Sequence, residues 1–321
     1  MSTNTTRGSG THGSKKPHSP SQHAPRSAKP RASTLRQRQE AQRALAEARR
    51  EREGRKRRLW VVLAPIAVIV LVVATLVAVR LGSGAGGANG KAGGGAAPAV
   101  VAKVTGVPAS VFDAVGVSNP YQLPTRINAA PLTADGKPRI LYVGAEYCPF
   151  CAVERWPMIV ALSRFGTWHG LSYTYSGAAP EPYPNTATFS FHGASYTSDY
   201  LSFTGIETHT NQRQGNGWEP LDTLGGADLA VFQKDDTQGA TPFVDFGGRW
   251  IIVGATYQAG LVAGHTHAEI AATLADPSNK TGAGIIEAAN VMTAALCQLT
   301  GNQPASVCTS PGVTAGAKVL P

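Results

Sequence analysis

The chain has little cysteine and lacks several common catalytic motifs. Its 321 residues include only four cysteines, and none of them precedes residue 148. The sequence has one CxxC motif and no second one. It shows no glycine-rich loop of the phosphate-binding type and no motif typical of a Ser-His-Asp triad. A zinc ribbon, a P-loop nucleotide site and a serine-hydrolase triad are therefore not predicted. The 36 glycines lie mostly in a tether and in turns.

Positive charge is concentrated in the first 58 residues. These carry 16 Lys and Arg against 4 Glu, a net charge of +12, whereas the remainder carries 13 against 16 acidic residues, a net charge of −3. The overall net charge of +9 is thus a property of the N-terminal arm. Specific nucleic-acid binding by the rest of the chain is not predicted.

The basic arm divides into two parts by composition. Residues 1–32 have almost no large apolar side chain and are predicted to be disordered. Residues 33–58 are strong helix formers without an apolar stripe, which favours a solvated, partial helix. The positive charge of the arm is interpreted as a signal that sets the orientation of the chain in the membrane and otherwise as ordinary surface charge. The alternatives are attraction to anionic lipid, at about 1 kcal/mol per Lys or Arg, and, as a weaker one, non-specific nucleic-acid binding.

A long uncharged stretch follows the arm. The 21 residues from Leu59 to Val79 carry no charge, enough to span a membrane, and predict a transmembrane helix over 59–80. A signal peptide would be shorter and would begin near residue 1. The Lys/Arg excess before Leu59 places the N-terminus in the cytoplasm. We therefore expect a single-pass protein of the cytoplasmic membrane whose C-terminal part is extracytoplasmic.

The exported part begins with a tether. Residues 81–99 are rich in Gly and Ala and predict a flexible linker, so residues 100–321 are expected to form one exported domain. A short helix is predicted over 108–115, ending at Gly116. All four cysteines lie in this domain, which suits an oxidising compartment.

The motif Cys-Pro-Phe-Cys lies where an apolar strand over 140–145 meets a helical pattern over 152–156. Cys148 and Cys151, three residues apart on the first turn of a helix, share one face and lie close enough for a disulfide. The helix N-terminus favours a thiolate. Pro149 suits the first helical position. This order of strand, CxxC and helix predicts a redox motif.

Further elements after the motif indicate an α/β domain. Residues 171–176 alternate as a strand does, and residues 241–253 read as two short strands joined by Gly247-Gly248, which supplies the positive φ of a tight turn. A helix over 267–274 follows. The predicted fold class is α/β, with one N-terminal transmembrane helix in addition.

This element order resembles the thioredoxin superfamily over residues 139–275. The resemblance implies a thioredoxin-like fold, a cis-proline at Pro242 against the CxxC, and an insertion over 177–226 before the proline hairpin. More narrowly, the chain resembles the family called domain of unknown function 929 over most of 100–310. That likeness is carried by four segments: Tyr147–Trp156, Ala161–Gly166, Thr188–Phe191 and Tyr200–Phe203.

The thioredoxin resemblance also implies roles for the site residues. Cys148 would attack the substrate disulfide, Cys151 would resolve the mixed disulfide, and Pro242 would keep a strand edge open for substrate backbone. Glu146 and Glu154 are the nearest acids and are candidates for proton transfer, although a solvated helix face is favoured for Glu154. No cofactor and no metal is predicted.

The other two cysteines and the histidines leave alternatives open. Cys297 and Cys308 are predicted to form a structural disulfide, the alternative being a second redox pair that relays electrons. An alternative to the redox interpretation is a zinc site in which Cys148 and Cys151 bind the metal together with His265 and His267. His192, His209, His265 and His267 are otherwise interpreted as surface or loop residues.

The function predicted from the sequence is thiol–disulfide oxidoreduction on exported proteins that carry thiols or disulfides. The partners expected are therefore those proteins and the membrane, through residues 59–80 and the lipid attraction of the arm. The alternative is a non-catalytic thioredoxin-like interaction module whose CxxC is a structural disulfide.

Overall fold

The computed structural model describes residues 95–321, so the predictions for the arm, the span over 59–80 and most of the linker lie outside the described residues. The helices are α1 (Pro98–Thr105), α2 (Ala109–Val115), α3 (Pro149–Leu162), α4 (Gly226–Asp235), α5 (His267–Thr273), α6 (Lys280–Leu299), α7 (Ala305–Cys308) and α8 (Pro311–Val319). The strands are β1 (Thr125–Arg126), β2 (Thr133–Ala134), β3 (Lys137–Gly144), β4 (Gly166–His169), β5 (Ser172–Tyr175), β6 (Ala187–Ser190), β7 (Ser195–Ser198), β8 (Ser202–Glu207), β9 (His209–Gln214), β10 (Gly217–Pro220), β11 (Phe243–Phe246) and β12 (Trp250–Val253).

A mixed sheet forms the centre of this part of the chain. Its main strands lie in the order β1, β12, β11, β3 and β8, and β2 pairs with the beginning of β3. β8 runs parallel to β3, while β11 runs antiparallel to β3 and to β12. β3 is therefore central, and the motif that follows it lies at the end of the middle strand.

Alternation along β3 creates two covered faces. Ile140 and Tyr142 belong to a large core that includes α3 and α6, whereas Leu141 and Val143 belong to a second cluster packed by Phe232 of α4. Because successive strand residues point to opposite faces, this alternation places helices on both sides of the sheet. The layers are helix, sheet and helix, which confirms the mixed α/β class.

Two long helices are core elements. Every residue of α3 except Phe150 is buried, and Pro157 lies within the helix without ending it. Among residues 95–321, α6 alone is long and apolar enough to cross a membrane, but 72% of its most apolar window is buried inside the fold. Such burial is what a core helix shows.

Two segments considered in the sequence contribute differently to the sheets. The strand predicted over 171–176 exists as β5, but it pairs with β6 in a separate two-stranded sheet. The parallel neighbour of β3 is β8, which lies inside the segment 177–226 predicted to be an insertion. Gly205 obscures the strand pattern of β8, and a Cβ there would lie 2.7 Å from Phe191. Glycine is required by this close packing.

Several local predictions are confirmed. Gly247 and Gly248 have φ values of 62° and 74° in the tight turn between β11 and β12, and α2 ends at Gly116. The predicted disulfide joins Cys297 to Cys308, whose Cα atoms are 5.6 Å apart, and ties the end of α6 to α7. Closing a loop of this size contributes about 3 kcal/mol in the chain-entropy model.

Candidate functional site

Cys148 is the N-cap residue of α3. Its Sγ accepts a hydrogen bond from the backbone N–H of Cys151 at 3.2 Å, and Pro149 occupies the first helical position as the sequence predicts. Both motif cysteines are free thiols. Cys148 retains 6% of its exposure and Cys151 has none, so only the first sulfur can be reached from outside.

The two thiols differ strongly in acidity. A hydrogen bond from the Cys151 thiol, together with the Cys151 backbone N–H, lowers the pKa of Cys148 to about 7 despite burial. Burial raises the pKa of Cys151 well above its usual value. A thiol with a pKa near ambient pH is the most effective attacking group in disulfide exchange. The site thus pairs a thiolate-forming sulfur with a protonated one.

Pro242 lies against the first cysteine. The Thr241–Pro242 peptide bond is cis, and the Thr241 carbonyl oxygen is 3.6 Å from Cys148 Sγ. The Pro242 carbonyl accepts a hydrogen bond from Gly254 N–H at 2.8 Å, which joins the segment before β11 to the segment after β12. The structure therefore brings Cys148, Cys151 and Pro242 together.

A buried ion pair lies beneath the motif, and sequence reasoning missed it. Arg155 Nε and Nη2 donate to the two carboxylate oxygens of Glu207 at 2.8 and 2.6 Å, and both side chains are fully buried. Arg155 Nη2 also donates to the Ala145 carbonyl. Burial alone would lower the pKa of Arg155, but the charge and hydrogen bonds of Glu207 together with Tyr142 and Cys151 raise that pKa above its usual value. The signal available was a charged residue in an otherwise apolar helix, since such a residue needs a partner.

Glu154 is not on a solvated helix face, which corrects that interpretation. Its side chain is fully buried because α3 is covered on all sides, and its Oε2 accepts hydrogen bonds from the Thr256 N–H and hydroxyl, both at 2.8 Å. Burial raises the pKa of Glu154 to about 8. Glu154 lies three residues after Cys151 on α3, a spacing that places the two on one helix face.

Glu154 makes the stability of the protein depend on pH. Its pKa is raised from 4.5 to about 8 in the folded state, so the folded chain holds this proton more tightly than the unfolded chain. Its contribution to the free energy of unfolding is therefore largest below pH 4.5 and decreases as pH rises to about 8. Glu154→Gln should lack this decrease and should be at least as stable as the unmodified protein at pH 9.

Urea unfolding at pH 5, 7 and 9 measures this effect. The exposed Glu219→Gln is the matched control and should follow the unmodified protein at every pH. Parallel pH profiles for Glu154→Gln and the unmodified protein would contradict the assignment of a buried, protonated carboxyl group.

The second predicted acid, Glu146, precedes the motif and is 5% exposed. Its Oε2 has no hydrogen-bond partner among residues 95–321. Next to it, Tyr147 stacks on Trp218 of β10 with ring centroids 4.6 Å apart, and Arg213 lies over that indole at 3.8 Å. The β9–β10 hairpin thus packs beside the motif.

The histidines considered for zinc lie elsewhere. His265 is exposed, whereas His267 is buried, which corrects its interpretation as a surface or loop residue. The His267 ring stacks on Tyr173 at 4.0 Å, and its Nε2 lies 2.7 Å from the Thr188 carbonyl oxygen. Within the described part of the chain, no three His, Cys, Asp or Glu side chains are grouped to hold a metal ion.

Comparison with known proteins gives one match. No curated protein and no solved structure matches the chain. A protein-family model matches residues 124–217, a segment that includes the motif and the two parallel strands β3 and β8. This segment, somewhat under a third of the chain, is similar to the family described as a domain of unknown function (DUF929).

Proposed function

We propose that this protein is a membrane-anchored thiol–disulfide oxidoreductase that acts on polypeptide cysteines outside the cytoplasm. The observation that carries the proposal is the arrangement of the two thiols. Cys148 has a pKa of about 7 at a helix N-terminus, above a fully buried Cys151 and against the Thr241–Pro242 peptide bond. This arrangement supports disulfide exchange better than a structural role.

A thioredoxin-like fold is part of the proposal. The strand order β12, β11, β3, β8, in which β8 runs parallel to β3 and β11 alone runs in the opposite direction, is the order expected for that fold. The CxxC follows the central strand, and the proline precedes β11. The likeness belongs to these four strands and α3, and the strands β4–β7, β9 and β10 lie outside it.

The proposed exchange proceeds in two balanced steps. The Cys148 thiolate attacks one sulfur of a substrate disulfide, forming a mixed disulfide and releasing the other substrate sulfur as a thiolate. Cys151 then loses its proton and attacks the Cys148 sulfur, which breaks the mixed disulfide and releases the second substrate thiol. Two electrons pass from the cysteine pair to the substrate, and the reverse sequence oxidises a substrate dithiol.

Glu154 is proposed to accept the Cys151 proton in its ionised form, which its pKa of about 8 makes the minor form at pH 7. Its pKa of about 8 lies in the range of a thiol, and it is one helical turn from Cys151 on α3. Glu146, buried beside the motif, is the second candidate for proton exchange with solvent.

A redox titration of the full-length chain in glutathione buffers tests the function. We expect Cys148–Cys151 to titrate reversibly between the potentials of thioredoxin and DsbA, about −270 to −120 mV. The Cys297–Cys308 pair should remain oxidised and serves as the internal control. A Cys148–Cys151 disulfide that persists at potentials below about −300 mV would favour the interaction module instead.

The proposed orientation rests on the charge excess before Leu59. Reporter fusions within residues 1–58 should report the cytoplasm, and fusions after residue 100 should report the outside. Protection of the C-terminal domain from protease in intact spheroplasts, with cleavage only after lysis, would contradict the orientation.

A further inference from the structure

Three exposed aromatic residues converge beside the motif. Tyr121, Phe150 and Tyr183 are the large apolar side chains most exposed among residues 95–321, at 62%, 40% and 41%. All three line the same cavity of about 510 Å³. Phe150 is the residue between Pro149 and Cys151, so the cavity begins within the motif. Exposed aromatic side chains gathered in one place indicate a binding surface rather than chance exposure.

The backbone holds Tyr183 in place from two sides. Its φ is 52°, a region that bulky residues rarely adopt, and its carbonyl accepts hydrogen bonds from the hydroxyls of Ser176 and Thr186 at 3.0 and 2.8 Å. The same loop is joined to the motif, because Gly177 N–H donates to the Tyr147 carbonyl at 2.7 Å. A strained residue that is held so firmly and still exposes its ring suggests a functional position.

The cavity adjoins the motif through Phe150 and Gly254 and has no charged lining residue. Gly254 lines it and donates to the Pro242 carbonyl, and Pro242 follows the Thr241 carbonyl that lies against Cys148 Sγ. The remaining lining residues are the following uncharged ones: Gln122, Ala255, Tyr257, Gln258, Ala259 and Gly260. This lining favours an uncharged, largely apolar occupant close to the motif.

We propose that this cavity, between Tyr121, Phe150 and Tyr183, receives a large apolar side chain of an extended polypeptide substrate, adjacent in sequence to the reacting cysteine. This inference rests on the proposed function and names its substrate class. A polypeptide is the occupant because it alone presents a disulfide sulfur at Cys148 and an apolar group one residue away. Tyr121 and Tyr183 come from segments outside the four-strand core, so they set specificity without taking part in the exchange.

The test uses the full-length chain and short peptides, each bearing one cysteine as a mixed disulfide with glutathione. Trp or Ala is placed immediately before or after the cysteine. We expect a Trp peptide of one of these two orientations to react about tenfold faster than its Ala counterpart. Tyr121→Ala and Tyr183→Ala should reduce that preference to about twofold, while Tyr183→Phe, which keeps the ring, should retain it. The reaction with glutathione disulfide should be unchanged in all three variants.

The possible failures are distinguishable. Equal rates for Trp and Ala peptides in both orientations, with a normal glutathione disulfide reaction, would overturn the aromatic cavity and leave the oxidoreductase intact. Failure to react even with glutathione disulfide would overturn the oxidoreductase. In that case the fluorescence anisotropy of labelled peptides with Ser in place of Cys still tests whether the cavity binds a large apolar side chain. Binding by the cavity is supported if Trp peptides bind about tenfold more tightly than Ala peptides and Tyr183→Ala removes this difference. It is overturned if Trp and Ala peptides bind equally or if Tyr183→Ala has no effect.

Discussion

Replacing Cys151 with Ser should cause mixed disulfides between Cys148 and exported proteins to accumulate. Cys148 is 6% exposed and its thiol has a pKa of about 7, so it still attacks, whereas the fully buried thiol that releases the substrate is gone. Replacing Cys148 should instead reduce exchange to background, because the remaining sulfur is inaccessible. Non-reducing electrophoresis after acid trapping of thiols measures both effects.

Two further variants make this expectation specific. Cys148→Ser/Cys151→Ser should trap nothing, which excludes adducts at other cysteines. Pro242→Thr should lengthen the lifetime of the mixed disulfide formed with both cysteines present, because the Thr241 carbonyl before Pro242 lies 3.6 Å from the Cys148 sulfur that Cys151 must attack. If Cys151→Ser yields no more adduct than the double variant, the assignment of Cys148 as the attacking group is wrong.

Breaking the Arg155–Glu207 pair should have the largest effect on stability. Both side chains have no solvent exposure and are joined by two hydrogen bonds. Removing one partner leaves the other charge buried without compensation, at a cost of about 3–5 kcal/mol. Arg155→Met and Glu207→Leu should each lower the free energy of unfolding by this amount, as measured by urea denaturation.

The double variant and an exposed pair provide the controls. Arg155→Met/Glu207→Leu should recover much of the loss, because it leaves no unpaired buried charge. Arg213→Met, which removes an ion pair to Glu181 whose arginine is 47% exposed, should cost no more than about 1 kcal/mol. Single variants at the buried pair that cost no more than Arg213→Met would show that the pair is not a buried charge network.

Much of the site was predictable because its signals are local. An apolar run, two cysteines three apart and a proline at the first helical position specify the strand β3, the start of α3 and the N-cap position of Cys148. Gly247 and Gly248 specify the hairpin in the same way, since a tight turn with positive φ favours glycine. The placement of Pro242 beside Cys148 followed from the resemblance to a known fold.

Other features depend on residues far apart in the chain. The parallel partner of β3 was not predicted, because β8 lies within the segment 177–226 and its strand pattern is interrupted by Gly205, which packs against Phe191. A solvated helix face was predicted for Glu154 because the pattern of a helix does not show which distant residues cover it.

The sequence by itself determined the placement of Cys148 and Cys151 at the start of α3, the α/β class, the pairing of Cys297 with Cys308 and the turn glycines, because each depends on short-range geometry or on cysteine chemistry. Only the tertiary structure decided that Arg155 meets Glu207, 52 residues away, and that three aromatic side chains share one cavity beside Cys148. Burial, ion pairing and pKa depend on the surroundings in space. Those surroundings are set by packing between elements, which local patterns do not encode.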